Sequence, residues 1–98
     1  MISREDYIFT IGYDGETAIV NGKAKRKYGR LSTEELARKG LFKPALCSAL
    51  YEKDERGLQL VLELYNTRSD KKLDSAENLM RTFGVTEVPE EIKKVMIC

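Results

Sequence analysis

Lys23, Lys25, Arg26, Lys27 and Arg30 place five positive charges in the eight residues from 23 to 30, with no acid among them. Ammonium and guanidinium groups this dense can hold phosphates or carboxylates, arginine as a planar fork and lysine as a point charge. The wider block from 23 to 43 carries eight bases against two acids, while the whole chain has a net charge of only +1. The flanks are therefore mildly acidic. Such asymmetry bears on partners and leaves the fold open.

Residue types for covalent or metal chemistry are sparse. The chain has no histidine, which removes the commonest general base, the Ser-His and Cys-His nucleophile pairs and the commonest metal ligand. Its two cysteines, Cys47 and Cys98, form no C-x-x-C for zinc or redox work. Cys47, between Leu46 and Ser48, reads as a small buried hydrophobe. Gly12, Gly15 and Gly22 do not make a dinucleotide fingerprint, and no phosphate-binding G-x-x-x-x-G-K is present. Asp70 and Asp74 in DKKLD lack the alternating oxygen ligands of a calcium loop. Glu34 with Glu35, and Glu90 with Glu91, are neighbours that diverge on a helix. Asp6, Asp14 and Glu16 suit turns. The expectation is a protein that is not an enzyme, with no catalytic residue, metal or cofactor.

The elements that must position these residues can be read from local signals. Ninety-eight residues with 42% hydrophobic and 34% charged content fit one globular domain, 1–98. YIFTIGY, Asp14-Gly15, ETAIV, Asn21-Gly22 and KAKRKY predict a three-stranded antiparallel meander, because Asp-Gly and Asn-Gly favour tight hairpin turns. In that strand Lys23, Lys25 and Lys27 share one face. The simplest account of them is protection of a sheet edge against unwanted pairing.

Ser32 and Glu35 have capping-box spacing and predict a helix ending at Gly40. Pro44 suits the first turn of a second helix. LQLVLELYN alternates like a strand yet also matches a helical face. Its neighbour Gly57 and its short length favour a fourth strand near 58–66. Asp74 and Gly84 bracket another helix, and Pro89 starts a last one, with Glu90 and Glu91 ahead of Lys93 and Lys94. The fold class is α+β: a small antiparallel sheet with about four short helices.

STEELARKGLFKPALCSALYE resembles a helix-turn-helix, with a capped helix, a glycine turn and a second helix. Its spacing departs from that motif, since Ala37 and Gly40 are one residue closer than usual. PALCSALYE also offers only Ser48, Tyr51 and Glu52 as polar groups, without the Arg, Asn or Gln that read base edges. Two functions stay open. One is a protein–protein interaction module, binding an unknown protein or itself as a homodimer through Ile92, Val95, Met96 and Ile97, an apolar cluster larger than a small core needs. The alternative is non-specific nucleic-acid binding through the basic block 23–43. With no apolar signal core at the N-terminus and no long apolar run, a cytoplasmic location and no membrane partner are expected.

Overall fold

The computed structural model describes residues 2–98. Among the described residues are six helices and a three-stranded sheet of order β1-β2-β3. The class is α+β, as the sequence predicts. The chain divides into two compact units: the residues up to Arg30 together with Val88–Cys98, and Leu31–Glu87.

The first unit begins with α1 (Arg4–Ile8), where the Ser3 hydroxyl accepts the Asp6 N–H at 3.2 Å and Glu5 and Asp6 complement the helix dipole. Tyr7, Ile8 and Phe9 are buried, and with Ile2, Ala18 and Val20 they make this unit's core. β1 (Thr10–Asp14) and β2 (Thr17–Val20) form an antiparallel hairpin, with an irregularity in register at Ile11. Its two-residue turn is centred on Gly15-Glu16, one residue later than expected, and Gly15 takes the positive φ (+58°).

The predicted meander stops there. Asn21 starts a helix rather than a turn: its Oδ1 accepts the Ala24 N–H at 3.1 Å and caps α2 (Gly22–Tyr28). Asn is as strong an N-cap as it is a turn residue, and Lys, Ala and Arg are good helix formers. Gly22 is also held by close packing. A Cβ there would collide with Ile97 Cγ2 and stand 3.0 Å from the Cys98 carbonyl oxygen. The third strand is instead β3 (Lys94–Ile97), parallel to β2, with Ala18 beside Val95, Ile19 beside Met96 and Val20 beside Ile97. So the sheet is mixed, not antiparallel, and the helix expected after Pro89 is absent. Its residues are extended because Val95 and Ile97 pair with a strand far away in sequence, which no local cap reveals.

The second unit is helical. α3 (Thr33–Arg38) carries the predicted capping box: Ser32 Oγ accepts from Glu35 N and Glu35 Oε1 accepts from Ser32 N, both at 3.1 Å. Gly40 (φ +83°) ends it, and Leu41 N–H returns to the Leu36 carbonyl. α4 (Phe42–Glu52) has Pro44 in its first turn and buries every residue from Ala45 to Ala49. The strand expected near 58–66 is helix α5 (Glu55–Ser69). Asp54 caps it by accepting the Gly57 N–H at 3.0 Å, and its stripe includes the buried Val61 and Leu62. α6 (Ala76–Phe83) is capped by Ser75 rather than Asp74 and ends at Gly84 (φ +65°). Phe42, Tyr65 and Phe83 stack edge-to-face at 5.3 and 5.4 Å.

Candidate interaction surfaces

Helical geometry regroups the basic residues. At about 100° per residue, Lys23, Arg26, Lys27 and Arg30 fall within roughly a 100° arc, while Lys25 lies on the far side. Gly29 keeps right-handed dihedrals (φ −61°, ψ −23°), which carries the backbone along the helical path to Arg30, two residues past the end of α2. All four are exposed. Lys25 Nζ instead sits 2.6 Å from Asp6 Oδ1, tying α2 to α1. Edge protection therefore does not account for these lysines, because they stand on a helix.

Arg4 Nη1 donates to the Gly29 carbonyl at 3.0 Å and satisfies one free acceptor at the C-terminus of α2. Lys23, in the first turn, stands at the positive end of the helix dipole, where a cation is disfavoured. Its spacing to Arg26 and Lys27, and theirs to Arg30, sets like charges side by side, each pair destabilising by about 0.2–0.5 kcal/mol. Among the described residues, no carboxylate forms an ion pair with any of the four.

The apolar cluster becomes a sheet edge. Ile92 is half-buried in the extended segment before β3, while Val95, Met96 and Ile97 are 39%, 55% and 50% exposed. Lys94 N–H donates to the Glu16 carbonyl at 3.3 Å, Cys98 N–H donates to the Val20 carbonyl at 2.9 Å, and the Cys98 carbonyl accepts from Gly22 N–H at 3.2 Å. In a parallel ladder alternate residues face the same neighbour, so Lys94, Met96 and Cys98 turn their backbone groups to β2. Val95 and Ile97 turn theirs outward. Among the described residues, no strand pairs with β3 on that side.

A third feature lay outside sequence reasoning. The Thr33 and Ser48 hydroxyls are 2.8 Å apart, and both can donate to Glu52 Oε1, at 3.3 and 3.1 Å. Beside them, between the starts of α3 and α5, opens a cavity of about 430 Å³ with Glu34, Glu52, Asp54 and Arg56 on its walls. Ser48 is wholly buried, so its hydroxyl cannot meet a substrate carbonyl, and the group ties α3 to α4. The only hint in the sequence was a serine inside an apolar helical run.

The helix-turn-helix resemblance holds for the two consecutive helices and their glycine turn, but α4 is a core helix with its central five residues buried. It has no free face to enter a groove. Among the described residues no group of three or more His, Cys, Asp and Glu could hold a metal ion, and no helix is long and apolar enough to cross a membrane. No protein family, curated protein or solved structure matches the chain.

Proposed function

We propose that the chain is a non-enzymatic interaction module that pairs with a second copy of itself through the outer edge of β3. One observation carries this reading: Val95 and Ile97 direct unpaired N–H and C=O groups outward from an edge strand whose apolar side chains are 39–55% exposed. Exposed edges of this kind are templates for strand addition and are ordinarily blunted by charge, proline or cover. Here the charges, Lys93 and Lys94, stand at the start of the strand and leave Val95-Met96-Ile97 open.

The alternation selects a register. In an antiparallel pair, outward-facing residues must meet outward-facing residues. Placing a two-fold axis at Met96 sets Val95 opposite Ile97 of the second copy in both directions and uses all four outward groups of each strand. An axis at Lys94 would oppose two lysines and is disfavoured. The two-fold arrangement is isologous and closes, giving a continuous six-stranded sheet.

The register is tested with Met96→Cys in a Cys98→Ser background. Met96 would be a non-hydrogen-bonded pair, with Cα atoms about 4.5 Å apart, within disulfide reach. Mild oxidant should convert this variant to a covalent dimer, while Val95→Cys in the same background should crosslink poorly. Equal or absent crosslinking of the two variants contradicts the pairing.

A further inference from the structure

We propose that the outer face of α2, made by Lys23, Arg26, Lys27 and Arg30, binds the phosphate backbone of duplex nucleic acid without reading its sequence. This rests on a different observation from the β3 edge and stands apart from it. The four cations fall within eight residues, about 10 Å along the helix, so their spacing of roughly 3.5 Å matches that of the phosphates along one strand of a duplex. Among the described residues no carboxylate pairs with this face, and its contacts within the protein are limited to Lys27 over the Tyr28 ring and the Arg26 guanidinium beside Gly22. The nearby acid Asp6 is taken by Lys25 at 2.6 Å, Glu5 lies 3.5 Å from Arg4, and α2 contains no acid. The C-terminal carbonyl of Gly29 is already served by Arg4. The mutual repulsion of the four, and the placement of Lys23 against the dipole, would be relieved by a polyanion.

The choice of a nucleic acid over an acidic protein follows from what the face lacks. Protein interfaces draw their energy from buried aromatic and aliphatic anchors, with charge relegated to the rim. Here the nearest ring, Tyr28, is half-buried, with Lys27 Nζ 5.3 Å from its centroid, and the exposed arc is charge alone. Such a surface gains little from a protein, whereas a polyelectrolyte releases condensed counterions for each phosphate neutralised. Asn21 is engaged in capping, and Arg26 and Arg30, which could also read a base edge, are here assigned to phosphates. Equal affinity for duplexes of unrelated sequence is the result expected of this assignment.

Fluorescence anisotropy with a short labelled mixed-sequence duplex, titrated with the full chain between about 50 and 200 mM salt, tests this. Four phosphates at about −0.9 each give a slope of log K on log salt near −3.6 for each face engaged, roughly a 150-fold weakening across that range. Arg26→Gln, Lys27→Gln or Arg30→Gln should each reduce the slope by about one. Lys25→Gln should leave it unchanged, provided circular dichroism shows every variant folded. The proposal is overturned by no binding at low salt, or by a slope that Lys25→Gln lowers as much as Arg26→Gln does. Labelled polyglutamate binding where duplex DNA does not would overturn it too, and would assign the face to an acidic protein.

Discussion

Replacing Met96 with glutamate should separate two paired copies and leave each folded. Met96 is 55% exposed, and complete burial of a methionine side chain is worth about 1.5–3 kcal/mol. Covering the exposed half therefore contributes about 1 kcal/mol or slightly more on each side, and about 2–3 kcal/mol for the pair. Two glutamates directly opposite each other across the two-fold axis add about 0.2–1 kcal/mol of repulsion. The sum, about 3 kcal/mol, makes the dimer roughly 100-fold weaker or somewhat more. Sedimentation equilibrium over a range of concentrations reads this directly. Denaturant unfolding of the variant at low concentration should show a monomer within about 0.5 kcal/mol of the unsubstituted one, since the site is at the surface. A dimer constant for Met96→Glu within threefold of the unsubstituted value would refute the reasoning, as would an unsubstituted chain that stays monomeric at high concentration.

Gly22→Ala should destabilise the chain by about 1–3 kcal/mol through overpacking, because the new methyl meets Ile97 Cγ2 and the Cys98 carbonyl. A urea midpoint equal to that of the unsubstituted chain would show that β3 does not seat against α2 as described. Asp54→Ala removes the N-cap of the fifteen-residue α5 and should cost about 1 kcal/mol, a fall in Tm of about 4–8 °C. Asp54→Asn should restore most of it, and failure to do so would mean that the cap is not what Asp54 contributes.

The readable parts of the sequence were those whose stabilising bonds close within a few residues. The Ser32–Glu35 box, the stops at Gly40 and Gly84 and the placement of Pro44 each depend on a side chain meeting a nearby backbone group. Segments that misled had two local solutions, and distant packing chose between them. Asn21-Gly22 can turn a hairpin or cap a helix, and the Gly22 contact with β3 accompanies the second. LQLVLELYN fits a strand or a helical stripe. Asp54, three residues before Gly57, was the overlooked cap that decides for the helix. Lys94–Ile97 pairs with β2 across most of the chain's length, so Pro89 and its charges gave a plausible but wrong helix.

For the surfaces, composition was legible and arrangement was not. The five basic residues stood out, but only the helical period removes Lys25 from the group and joins Lys23 to Arg26, Lys27 and Arg30. The apolar run Val95–Ile97 stood out as surplus to a core. Its character as an open edge depends on the alternation of backbone groups toward β2, which side-chain types do not encode.

The measurement that tests the β3 pairing most directly is amide hydrogen exchange, residue by residue, as a function of protein concentration. Lys94 and Met96 face β2 and should be protected at every concentration. Val95 and Ile97 should exchange freely when dilute and become protected as concentration rises, in parallel with dimer formation. If Val95 and Ile97 exchange freely at all concentrations, β3 does not pair with a second copy.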